Sequence, residues 1–252
     1  MSVQVLEADN PDGRAPLEPG DLDAFPPETV DRLQLSIRMF RMYGRCWLSA
    51  RFLAIDEVAA LLELGGPALG LHLSQLARGP DLEAWLAWPG MREVRHLSFH
   101  SAFLGGAGAE KVLAADLGDL DTLDLSVCDI GTKGVRALQK HDGFPSLTAL
   151  YLHASTGDRT KWNEKLVADL LLDTPKKPQG ASLRGVRRLG LMFWNLTRCM
   201  PALEASPLIQ GLEELWIYDT IWAPPRRVSN VAALPEGVRS RTVVGWERTP
   251  VG

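Results

Sequence analysis

A three-point pattern, apolar-x-x-apolar-x-apolar, recurs along this chain at a nearly fixed step, and it limits the possible folds more than any bulk property does. It falls at Val30/Leu33/Leu35, Ala68/Leu71/Leu73, Val94/Leu97/Phe99, Leu120/Leu123/Leu125, Leu147/Leu150/Leu152, Val186/Leu189/Leu191 and Leu212/Leu215/Ile217. A weaker eighth copy is Val238/Arg241/Val243. With the middle residue as marker, the steps are 38, 26, 26, 27, 39, 26 and 26 residues. Chance triplets do not keep a step of 26 or 27 five times in seven. Spacing by two needs a strand, and helix-like spacing follows within the same unit. Each unit therefore reads as a short inward strand, a turn and an outer helix.

The most regular unit, Leu120–Leu138, has apolar residues at Leu120, Leu123, Leu125, Cys128 and Ile130, then Gly131, Gly134 and the pair Ala137-Leu138. It resembles a leucine-rich repeat, whose pattern L-x-x-L-x-L-x-x-N/C-x-L it matches at those five apolar positions. Its glycines and Ala-Leu pair resemble the ribonuclease-inhibitor-like subtype. The resemblance implies an α/β leucine-rich-repeat solenoid, a horseshoe arc with parallel strands on the concave side and helices and turns on the convex side. It also implies a non-enzymatic protein-protein interaction scaffold, or an inhibitor or immunity-type protein that occludes a partner enzyme. At the Asn/Cys position only Cys128 conforms. The other full units carry Arg38, Leu76, Ala102, Ser155, Trp194 and Thr220, so the asparagine ladder of regular repeats is absent.

The repeat divides the chain into a loosely ordered lead-in at 1–27 with five prolines, about seven repeats plus a cap strand over 28–245, and a tail at 246–252. Outer helices are expected at 56–64, 107–117 and 134–140. The two long steps put extra residues in loops at 36–55 and 153–165. The first loop carries Arg38, Arg41, Arg45 and Arg51, the second Arg159, Lys161 and Lys165, each either a solvated loop or a site for an acidic partner. No unit can bury its strand face and helix face alone, so neighbours must stack. Both sheet edges then need cover, from the lead-in and from the segment after Pro235.

Composition narrows the partners. A net charge of −4 argues against a nucleic-acid wrapper, which needs a basic stripe. Three widely spaced cysteines, Cys46, Cys128 and Cys199, support neither a disulfide framework nor a zinc motif and fit a reducing, cytoplasmic setting. No apolar stretch is long enough to span a bilayer, and no secretory leader is visible at the start of the sequence. The expected state is a monomer with another protein as partner, without nucleic acid, membrane or cofactor.

Strand side chains alternate, so residues beside the markers face the concave surface. Those columns hold His72, His96, His100, Asp124, Tyr151, His153, Arg188, Glu214, Trp216 and Tyr218. Aromatics on an open sheet face suit an interaction surface, and these ten residues are the expected partner-binding set. The histidines with Asp124 also raise a metal-dependent hydrolase, but no H-x-x-x-H or H-x-H pair fixes two ligands on one element, and no metal is expected. No GxSxG elbow, Walker loop or dinucleotide fingerprint occurs. Gly105 and Gly108 align with Gly131 and Gly134 and read as repeat turns. Cys128 reads as a buried structural thiol, and Trp85, Trp88, Trp194 and Trp222 as core or rim packing.

Overall fold

A computed structural model describes residues 5–6, 17–18, 20–43, 45–74, 81–152, 170–171, 178–193, 205–219 and 242–246. They form an α/β fold built on one open, curled, mostly parallel sheet. Its strands in chain order are β1 (Val5–Leu6), β2 (Met39–Met42), β3 (Arg45–Ser49), β4 (Gly70–His72), β5 (His96–Ser98), β6 (Thr122–Asp124), β7 (Ala149–Leu152), β8 (Arg188–Phe193), β9 (Glu214–Asp219) and β10 (Thr242–Trp246). Across the sheet they run β1-β10-β9-β8-β7-β6-β5-β4-β3-β2, and every pair is parallel except β2 with β3.

The marker leucines are also the register. Leu48 pairs with Leu71, Leu71 with Leu97, Leu97 with Leu123, Leu123 with Leu150, Leu150 with Leu189, and Leu189 with Leu215. All seven are at most 1% exposed. Their side chains line one sheet face together with Ala50, Leu73, Phe99, Leu125, Leu152 and Leu191, and α3 (Ile55–Gly65), α5 (Gly105–Ala114) and α6 (Gly131–Gln139) cover it. Fully burying a leucine is worth about 2 kcal/mol, so this column supplies much of the drive for stacking. Between strand and helix the backbone repeats as well. Ser101, Phe103 and Gly105 have φ of 61°, 52° and 62°, and Val127, Asp129 and Gly131 follow with 54°, 52° and 55°. Glycine closes each of these turns because it alone takes a left-handed φ without cost.

Three expectations change. Val30, Leu33 and Leu35 are not a strand: α1 (Pro27–Arg32) and α2 (Leu35–Arg38) occupy that stretch, opened by Pro27 in the first helical turn. Leu33 and Leu35 are nonetheless buried and join the main core. The strand of that unit is β3, whose marker is Leu48. Its pattern Arg45/Leu48/Ala50 is concealed because Arg45 stands where an apolar residue is expected. Residues 36–55 are therefore not a long loop, since most of them build the antiparallel β2–β3 hairpin. At the other end, Thr242 rather than Arg241 pairs with Leu215, so the last triplet is shifted by one residue.

The outer helices lie close to expectation, with α6 beginning three residues earlier than its predicted start. Among the described residues the remaining α-helices are α4 (Leu82–Ala87), α7 (Ala181–Arg184) and α8 (Pro207–Gln210). In α4, Trp85 is buried edge-to-face against Trp88, as core packing requires. The lead-in supplies β1 at the β10 edge and packs Leu17, Leu22 and Phe25 on the core near α1. Among the described residues no helix is long and apolar enough to cross a membrane. The loop at 153–165, with Arg159, Lys161 and Lys165, lies outside the described residues, as do Trp194 and Trp222.

Candidate concave-face site

Opposite the leucine core, the neighbours of the markers point inward on the curl. The strands bring His72, His96, Asp124 and Tyr151 there in register, and His100, two residues past β5, joins them beside Asp124. An open arc would leave them facing water. Instead all five are buried, from 0% exposed for His72 and Asp124 to 6% for His96. Over His72, His96 and Tyr151 lies the β2–β3 hairpin, with its own small apolar cluster of Phe40, Met42 and Trp47, separate from the main core.

Three strands of the curl, β4, β5 and β7, each meet a specific hairpin side chain. Trp47 rests over Gly70, where an added Cβ would come within 2.5 Å of the indole ring. The indole Nε1–H donates to the Met42 carbonyl at 2.8 Å. Phe40 meets the His72 ring edge-on at 5.2 Å. Tyr43, at the turn with φ 55°, stacks on Tyr151 with ring centroids 3.5 Å apart and planes 1° from parallel. Arg45 donates through Nη1 to His96 Nε2 and stands 3.9 Å from Asp121 Oδ2.

Two polar chains run across the strands under this cover. In the first, Ser98 Oγ donates to Asp124 Oδ2 at 2.9 Å and lies 3.0 Å from His72 Nδ1. A serine hydroxyl has one proton, so His72 Nδ1 must be the donor in that second bond. The His100 backbone N–H also donates to Ser98 Oγ, and the Ser126 N–H donates to Asp124 Oδ1 at 2.8 Å. His100 Nδ1 lies 3.8 Å from Asp124 Oδ2. In the second chain, the guanidinium on His96 Nε2 requires the proton on Nδ1, which faces Thr122 Oγ1 at 3.1 Å and Asp121 Oδ2 at 3.4 Å. Thr148 Oγ1 donates to Asp121 Oδ1.

The electrostatics follow from burial. Desolvation first, then the Arg45 charge, lowers the His96 pKa to about 4 against an opposing pull from Asp121, so the ring is neutral at pH 7. Burial also pushes the Tyr151 hydroxyl well above its ordinary value and lowers that of Arg45. Cys128 is a buried thiol donating to the Phe99 carbonyl at 2.8 Å, with its ionisation pushed up by desolvation.

Chemically, the first chain is arranged for structure. A serine nucleophile gives its proton to a base with the oxygen open to substrate. Ser98 Oγ is fully buried and already accepts from two groups while donating to a third. Among the described residues, no group of three or more His, Cys, Asp or Glu side chains could hold a metal ion.

Arg188 and Glu214 are partly exposed and directly opposite in register, on β8 and β9. Trp216 and Tyr218 pair through their backbones with Gly190 and Met192. Their side chains, and all of His153, lie outside the described residues. The arginines of 36–55 are engaged within the chain. Arg38 donates to the carbonyls of Leu33 and Arg51, Arg41 pairs with Asp21 and Glu18, and Arg51 lies over the Phe52 ring.

Phe40, Tyr43, Arg45, Trp47 and Asp121 were not expected at this face. The available signal was Tyr43-Gly44 between Met39-Phe40-Arg41-Met42 and Cys46-Trp47-Leu48, a tight-turn dipeptide flanked by short runs of strand formers. No family model and no curated protein matches the chain.

Proposed function

We propose that this chain is a leucine-rich-repeat solenoid of the ribonuclease-inhibitor-like subtype, and that it serves as a non-enzymatic, monomeric scaffold binding another protein through its concave face. The observation that carries the reading is the unbroken marker column from Leu48 to Leu215, whose in-register pairing gives one curved surface made of equivalent positions. Stacked repeats use such surfaces to hold extended partners. The saturated bonding of Ser98 favours a structural role for this polar chain over that of a serine nucleophile. Free thiols at Cys46 and Cys128 suit a reducing compartment, and the cytoplasm is the one assigned here.

On this reading the first contacts fall on β8 and β9, where Arg188 and Glu214 keep partial exposure and Trp216 and Tyr218 share the strand. The test is cross-linked co-purification from the native host with the full chain as bait. One stoichiometric protein should be captured by the native chain and by Lys133→Glu on the convex helix α6. It should fall at least about tenfold with Arg188→Glu or with Trp216→Ala/Tyr218→Ala, a loss of the size expected for an interface hot spot. Undiminished capture by both concave variants would refute the assignment.

A further inference from the structure

The hairpin touches the face with side chains that look like a ligand's. Its tip presents an aromatic ring at Tyr43 and a guanidinium at Arg45, two residues on. The ring lies flat on Tyr151, four strands away from β3, and the guanidinium takes the lone pair of neutral His96 beside the Asp121 carboxylate. Phe40 fills the space against His72. None of these groups belongs to the main core. Phe40 and Met42 cluster with Trp47 and Tyr43 on the opposite side of the sheet, and of β2 only Met39 joins the main core, so the stretch from Phe40 to Tyr43 can leave the face while Met39 stays with the leucine column. β2 is also the end strand, hydrogen-bonded only to β3 among the described residues. Tyr43 sits in the left-handed region, as the first central position of a two-residue hairpin turn does, which aims its ring at the face.

The geometry points to an internal occupant: β2 and its turn fill the concave face as a self-ligand, and a partner enters by presenting a turn with an aromatic residue followed two positions later by arginine. This rests on the scaffold reading above and specifies the partner's chemistry. The platform is Tyr151, the cation acceptors are His96 Nε2 and Asp121, and Ser98, Asp124 and His72 hold the floor rigid beneath them. The occupant lowers apparent affinity by the fraction of molecules in which the face is covered. Only a segment with both anchors can compete with it.

The experiment uses a labelled peptide of residues 38–45, RMFRMYGR, titrated into the full chain by fluorescence anisotropy. A Tyr43→Ala/Arg45→Ala chain, with its own anchors removed, should bind the peptide at least about tenfold more tightly than the native chain. Adding Tyr151→Ala should abolish that gain. Equal affinity for native and double-variant chains, or binding indifferent to Tyr151→Ala, overturns the proposal. If the double variant does not fold, Tyr151→Ala alone is read by amide hydrogen exchange. Faster exchange at residues 40–43 with Leu97 and Leu123 unchanged supports a separable occupant. No change, or loosening of the whole sheet together, overturns it. Equal capture of a cellular partner by native and double-variant chains would remove the occupant and leave the scaffold. Peptide exchange as expected without any captured partner would remove the scaffold and leave the occupant.

Discussion

Ser98 and Asp124 stand at the same position of consecutive repeats, 26 residues apart, and are joined across β5 and β6 by a 2.9 Å hydrogen bond with neither side chain exposed. The periodicity that aligns the leucines on one face thus also aligns a polar chain on the other. Asp124 accepts from Ser98 Oγ with one oxygen and from the Ser126 N–H with the other. Asp124→Asn keeps the shape but turns one acceptor into a donor, which leaves either the Ser126 amide or the Ser98 hydroxyl badly paired. A buried polar group left unsatisfied costs about 1–3 kcal/mol. Urea unfolding at pH 7 should register that loss. A change under about 0.5 kcal/mol, the size of an ordinary surface substitution, would show that the chain tolerates a broken link.

Gly70 lies under the Trp47 indole with no room for a side chain, since a Cβ there would stand 2.5 Å from the ring. Gly70→Ala should therefore push Trp47 away and weaken its indole bond to the Met42 carbonyl. Overpacking a filled site costs about 1–3 kcal/mol. The indole N–H of Trp47, followed by NMR hydrogen exchange, should lose protection while the amides of Leu123 and Leu125 keep theirs. Retained protection at the indole would mean the hairpin shifts with the ring.

Cys46 is partly buried with its thiol pKa pushed up to about 11, by desolvation first and then the Asp21 charge. Cys128 is fully buried, and desolvation pushes its thiol well above the ordinary value too. Alkylation requires the thiolate, and a pKa of about 11 leaves roughly one molecule in a thousand ionised at pH 8. A brief iodoacetamide pulse at that pH, followed by peptide mapping, should leave both cysteines unlabelled until denaturant is added. Rapid labelling of Cys46 in the native chain would show that the hairpin opens readily.

The leucine column was legible because it repeats one chemical demand at one spacing, and the pairing from Leu71 to Leu215 follows the markers residue for residue. Unit one misled the pattern because a helical cap also needs apolar residues. Leu33 and Leu35 satisfy the core from α1 and α2 just as strand residues would. β3 stayed hidden behind Arg45, whose place in the pattern is set by His96 and Asp121 across the sheet rather than by the core. The concave columns were readable as positions but their burial was not. Exposure there depends on what covers the curl, and the Tyr43–Tyr151 stack joins residues 108 apart in sequence, beyond any local periodicity.

His96 makes stability depend on pH with a definite sign. Its native pKa is lowered to about 4, whereas an unfolded histidine titrates near its ordinary 6.5. Between those values the unfolded chain takes up a proton that the native chain excludes, so its contribution is intact above pH 6.5 and is lost progressively as pH falls towards 4. From pH 6.5 to 5 the loss is on the order of 2 kcal/mol for a buried ring flanked by Arg45, with Asp121 the opposing charge. His141, lowered chiefly by burial, adds to the fall in the same direction. His96→Gln removes the proton but can keep a hydrogen bond to Thr122, so its urea midpoint should fall less than that of the native chain over this window. Parallel profiles for the two chains would mean that His96 takes up its proton in the folded state, with Arg45 swinging away from Nε2 to admit it.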